Sequence, residues 1–141
     1  MSFWDASALV PLFLRQRASA AARTLYRKRP DVVVWWGTAV ECESAIARLE
    51  RAGELTPDET ADARTRLSEA EAGWTEVEPS EAVRSTARRL LCVHDLRAGD
   101  ALQLAAAVVF ADGEPRQVPV VCLDARLSAA ARREGFTVVE P

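Results

Sequence analysis

Asp31-Val32-Val33-Val34-Trp35-Trp36-Gly37-Thr38-Ala39-Val40-Glu41 begins as one kind of structure and ends as another. The run Val32 to Trp36 has no polar face and is built of β-branched and aromatic residues, the composition of a strand buried on both sides in a parallel sheet. Gly37 and Thr38 break it. The pattern Thr38-x-x-Glu41 then has the form of a capping box, and Ala39, Cys42, Ile46 and Leu49 follow at helical spacing up to a stop at Gly53.

The alternation extends in both directions. Upstream, Ser2 to Trp4 reads as a short strand running into Asp5, followed by helical patterns over Ser7 to Leu14 and about Ala18 to Arg29. Downstream, a second box at Thr56-Pro57-Asp58-Glu59 opens a helix reaching roughly Ala72. Trp74 to Val77 is a candidate strand and Ser80 to Cys92 a helix. Leu96-Arg97-Ala98-Gly99 leads into a strongly apolar helix with Ala101, Leu102, Leu104, Ala105 and Val108, expected to be central and buried. After the loop Asp112 to Gln117 come a strand Val118 to Leu123, a helix Ala125 to Glu134 and a strand Phe136 to Val139. Strands alternating with helices predict an α/β sandwich with a mainly parallel sheet. No linker or internal repeat divides residues 1–141, so one domain is expected.

Composition excludes several classes. The 141 residues are 49% hydrophobic and 28% charged, enough for a real core and unlike a disordered chain. The apolar stretch Ala8 to Leu14 is too short to span a bilayer and follows Asp5 rather than a basic segment, so a cytoplasmic protein without membrane association is expected. Cys42, Cys92 and Cys122 are odd in number and far apart, as expected of reduced core residues. With His94 as the sole histidine and no Gly-x-Ser-x-Gly elbow, neither a zinc site nor a serine triad is indicated. A net charge of −3 gives no global attraction for nucleic acid, so any such contact is local. Arg15, Arg17, Arg23, Arg27, Lys28 and Arg29 concentrate positive charge, which a solvated helix face explains as readily as phosphate binding.

Four acids stand out by position. Asp5 ends the first strand, Glu41 lies in the first turn after the second, Asp100 opens the apolar helix, and Asp124 follows the strand Val118 to Leu123. Ligands of open parallel sheets collect at the carboxyl ends of strands, where Asp5, Glu41 and Asp124 can converge and the central helix can deliver Asp100. Gathered carboxylates raise one another's pKa and are relieved by protons or a divalent cation; an all-oxygen set suits Mg²⁺ or Mn²⁺, which commonly serve phosphodiester hydrolysis. Each acid also has a purely structural reading. Glu41 completes the Thr38 box, Asp100 complements a helix dipole, and Asp5 and Asp124 cap helices.

These residues are where the chain resembles the PIN-domain family, and within it the VapC-type ribonuclease toxins. Trp4-Asp5-Ala6-Ser7-Ala8-Leu9 is similar to the family's Asp-x-Ser-Ala-Leu opening, and Thr38-Ala39-Val40-Glu41 to its Thr-x-x-Glu motif. Leu96 to Ala105 resembles its Leu-x-x-x-Asp-Ala-Leu-x-Leu-Ala block, and Val121-Cys122-Leu123-Asp124 its last acidic motif. The resemblance implies a PIN-like three-layer α/β sandwich and an Mg²⁺ or Mn²⁺ site of Asp5, Glu41, Asp100 and Asp124 that hydrolyses RNA. It further implies a cognate VapB-like antitoxin that blocks the site, and a homodimer. Cys122 departs from the usual Thr or Ser before the last acid, removing a hydroxyl that could bond to a ligand carboxylate or to substrate.

Around the four acids, Ser7 is a candidate hydrogen-bond partner for Asp5 or a helix cap, and Arg97 and Arg126 are candidates for RNA backbone contact or surface ion pairs. Glu43 lies about 200° round the helix from Glu41, so only one of the two faces the site, and the motif selects Glu41. Of Trp35 and Trp36, one is expected in the core and the other is free to stack on a base or on the antitoxin. Three other readings compete with this one. Aspartyl phosphoryl transfer wants a second Asp where Ser7 stands; a PIN-fold binding module would have lost its acids; and a housekeeping RNA-processing nuclease would share the site.

Overall fold

A computed structural model describes residues 1–141. The chain runs β1 (Ser2–Trp4), α1 (Ala6–Phe13), α2 (Ser19–Lys28), β2 (Val32–Trp35), α3 (Thr38–Arg51), α4 (Pro57–Glu71), β3 (Thr75–Val77), α5 (Glu81–Val93), α6 (Ala98–Ala111), a 3₁₀ turn (Pro115–Gln117), β4 (Val120–Val121), α7 (Ala125–Arg133) and β5 (Val138–Val139). The five strands form one sheet in the order β3-β2-β1-β4-β5, every neighbouring pair parallel.

Strand alternation divides the core in two. Phe3, Val33, Trp35, Val120 and Cys122 point to the face covered by α5, α6 and α7. Trp4, Val32, Val34 and Val121 point to the face covered by α1, α3 and α4. The expected three-layer sandwich is therefore present, and β2 is apolar throughout because both its faces are inside. α6 is the central helix of its layer: Ala101, Leu104, Ala105, Ala106 and Ala107 are fully buried. On the other layer the buried Trp4 ring meets Tyr26 edge-on at 5.5 Å, and the Tyr26 hydroxyl accepts from Trp74 Nε1 at 3.1 Å. These rings tie α2 and the approach to β3 to the first strand. No helix is long and apolar enough to cross a membrane.

Four expectations are corrected. Thr38 does not cap α3: Gly37 holds the N-cap position and Thr38 is fully buried. β2 ends at Trp35, one residue short of the expected run, while the two rings divide as expected, Trp35 in the core and Trp36 50% exposed. The strand expected over Val118 to Leu123 pairs in its ladder only at Val120–Val121, because the Leu123 N–H turns away to the Ser7 hydroxyl. Cys42 and Cys122 are buried free thiols as expected, but Cys92 is exposed. Its apolar neighbours Leu91 and Val93 are themselves 42% and 58% exposed, so the helix end beyond the buried Leu90 faces solvent.

Candidate active site: carboxylates at the edge of the sheet

From the central strand β1 the chain moves outward to β2 and β3, then returns to the other side of β1 as β4. The crevice at the carboxyl ends of β1 and β4 is thus a topological switch point, where open α/β sheets take their ligands. Asp5 leaves the first of these strands and Asp124 follows the second.

Asp5 is 3% exposed and caps α1, its Oδ2 accepting from Ser7 N at 3.0 Å. Asp124 caps α7 by accepting from Leu127 N at 2.8 Å. Asp100 lies in the first turn of α6, and Glu41 in the first turn of α3. The structural readings of Asp5, Asp100 and Asp124 therefore hold alongside any chemical one, since a cap or first-turn acid is well placed to face the same crevice.

The acids act on one another's ionisation. Burial chiefly raises the Asp5 pKa, the charges of Asp100 and Asp124 raise it further, and hydrogen bonds from Ser7 oppose both. Burial also drives Glu41 up to about 7, against a hydrogen bond from Gln103 and with help from Asp5 and Asp100. Asp100 is raised by burial and by Asp124, while Arg97 and Arg126 hold it down. All four thus share one electrostatic neighbourhood, carrying more negative charge than the protein alone accommodates comfortably. No three acidic, histidine or cysteine groups close tightly enough to enclose a cation by themselves. The donors are of the hard type that suits Mg²⁺ or Mn²⁺, set more loosely than a finished coordination shell.

The neighbours sort themselves. Ser7 is not the helix cap; its hydroxyl accepts from Leu123 N at 2.9 Å and lies 3.7 Å from Cys122 Sγ, pinning the loop that carries Asp124 to α1. Cys122 Sγ also contacts Asp5 Oδ2 at 3.7 Å, the long reach of a thiol. Arg97 is exposed, and Arg126 lies 3.9 Å from exposed Asp95, a loose surface pair. Glu43 turns away and pairs with Arg64 Nε at 2.6 Å, leaving Glu41 as the acid of α3 that faces the site. His94 is elsewhere, 2.7 Å from Glu134. Arg15, Arg17, Arg23, Arg27 and Lys28 are exposed.

Sequence reading missed Gln103 and misassigned Thr38. Gln103 Nε2 donates to Thr38 Oγ1 at 3.0 Å and to Glu41 Oε2 at 3.2 Å. Its available signal was a polar residue on the apolar face of α6, one turn after Asp100. Clefts along α2 and between α1, α3 and α4 carry none of the four acids, so the site is marked by its chemistry rather than by depth.

The chain is a parallel α/β sandwich with acidic residues following the strands that flank its switch point. The PIN domain family model matches residues 3–133, and the chain belongs to that family. Two relatives from strains of Mycobacterium tuberculosis, Ribonuclease VapC45 and Ribonuclease VapC49, are each 32% identical over 136 residues, covering 96% of this chain and 92% of theirs. The crystal structure of FitAcB from Neisseria gonorrhoeae superposes with a TM-score of 0.66 at 17% identity, covering 98% of this chain and 96% of that one, and shares the fold.

Proposed function

We propose that residues 1–141 form a single PIN domain acting as a metal-dependent endoribonuclease, the toxin of a type II toxin–antitoxin pair. The observation that carries the reading is the mutual charge of Asp5, Glu41, Asp100 and Asp124 at the switch point; the ribonuclease names of the two relatives supply the substrate class.

Asp5 and Asp100 are the principal ligands for Mg²⁺ or Mn²⁺, with Glu41 and Asp124 completing the set. When bound, such an ion lowers the pKa of a water molecule and neutralises charge developing on the scissile phosphate. The chain's own part is positional. Helix α1 holds Asp5 through the Ser7 N–H, α7 holds Asp124 through the Leu127 N–H, and Gln103 holds Glu41. Arg97 and Arg126 stand where an RNA backbone would bring phosphate toward Asp100, and Trp36 offers an exposed ring for a base. A homodimer, a VapB-like antitoxin covering the acids and a cytoplasmic location belong to the same proposal.

The test is cleavage of labelled single-stranded RNA by purified, antitoxin-free protein with Mg²⁺, Mn²⁺ or EDTA, beside Asp5→Asn and Asp100→Asn. Metal-dependent cleavage lost by a factor of about 10² or more in both variants is expected, the scale on which transition-state charge stabilisation is lost. A folded wild-type chain that neither cleaves varied RNAs nor gains thermal stability from metal overturns the reading and leaves a binding module.

A further inference from the structure

Helix α6 buries one polar side chain completely, that of Gln103. An amide in an apolar layer is costly unless its hydrogens are used, and both of these leave α6 for α3, to Thr38 Oγ1 and Glu41 Oε2. With Glu41 ionised, turning the amide over would set its carbonyl oxygen against the carboxylate, acceptor facing acceptor, so the charged form of Glu41 selects the donor orientation. Asp100 lies one turn back along the same helix. The helix that carries one acid therefore holds a second.

Glu41 needs that hold more than its neighbours do. Asp5 and Asp124 have short side chains and each receives a backbone N–H at a helix N-terminus. Glu41 has an additional rotatable bond, and the one hydrogen bond to its carboxylate comes from Gln103. Behind the amide, Thr38 is fully buried, so the supporting partner cannot drift into solvent. The first turn of α6 packs beside the same carboxylate, a Cβ at position 99 standing in ordinary contact, 3.7 Å, with Glu41 Oε1.

We propose that Gln103 is a positioning residue: its amide aims Glu41 into the acid cluster, and the cation affinity of the site depends on a side chain that touches neither cation nor RNA. This rests on reading the four acids as a cation site. Groups that orient metal ligands from behind are worth about 10–100-fold in affinity or activity.

The experiment titrates Mn²⁺ against the melting temperature of wild type, Gln103→Met, Glu41→Gln, Asp5→Asn and the Gln103→Met/Glu41→Gln double variant, with RNA cleavage in parallel. Methionine keeps the length, burial and helix preference of the site and removes both donors. The Gln103→Met midpoint is expected to rise at least about tenfold, with cleavage recovered at high Mn²⁺, and the double variant to be no worse than Glu41→Gln alone. A wild-type midpoint in Gln103→Met beside a displaced one in Glu41→Gln overturns the positioning role and leaves the cation site standing. Wild-type behaviour in both Glu41→Gln and Asp5→Asn removes the cation site itself, and this role with it. Should Gln103→Met fail to fold, Gln103→Asn, whose amide is one methylene too short to reach Glu41, is titrated in its place with the same expectations.

Discussion

Glu41 and Glu134 show how one type of side chain is driven in opposite directions. Burial lifts Glu41 to about 7, so the folded chain binds a proton that the unfolded chain releases near its ordinary value of 4.5. Stability of the metal-free protein is therefore expected to fall as pH rises through that window and to recover on acidification. Glu134 is lowered, first by its hydrogen bond from Arg89 and also by His94, so its contribution is present above the ordinary glutamate value and lost as pH falls through its lowered one. Melting temperature against pH in EDTA should pass through a maximum between these regions, with Glu41→Gln flattening the neutral limb. An unchanged neutral limb in that variant would assign the effect to other groups. Asp5 and Asp100 stood out in the sequence as candidate site acids because a carboxylate beside so apolar a segment is unusual. Gln103 was not, because glutamine is an ordinary helix former and only its buried partners give it meaning.

The same four-residue form, Thr-x-x-Glu, opens α3 and α4, and at the level of elements the two differ completely. At α4 the reciprocal bonds are made: Glu59 N donates to Thr56 Oγ1 and Thr56 N to Glu59 Oε1, both at 3.1 Å. At α3 the threonine hydroxyl is buried against Gln103 and the glutamate faces the carboxylate crevice. What separates them is the residue before: β2 runs straight into Gly37, whose missing side chain leaves space for the Trp35 indole, since a Cβ there would come within 2.5 Å of its Nε1. Strand and helix positions were legible from periodicity, whereas the extent of β4 was not: the Cys122 N–H still reaches Val139 O, but a serine hydroxyl from α1 captures the N–H of Leu123. Thr56→Ala should cost about 1 kcal/mol, read as a fall of a few degrees in melting temperature with RNA cleavage unchanged at 25 °C. Loss of cleavage at that temperature would show that α4 communicates with the acids.

Across the whole molecule, the order of the strands explains why acids far apart in sequence were recognisable as one group. β1 is central, β4 lies beside it, and both end at the same edge. The partner-facing properties had no such support, because an antitoxin or a second copy is recognised by surface shape, which periodicity does not encode. The three free thiols have another use. Cys92 lies in solvent, Cys42 in the layer of α1, α3 and α4, and Cys122 in the layer of α5, α6 and α7 beside Asp5. The native chain therefore carries its own clock for opening, one thiol for each side of the sheet and one as an internal standard. Labelling followed by mass spectrometry should give one fast and two slow modifications. If the layers part independently, the two slow rates will differ, and a cation bound at the acids, whose charges act on both buried thiols, will slow both.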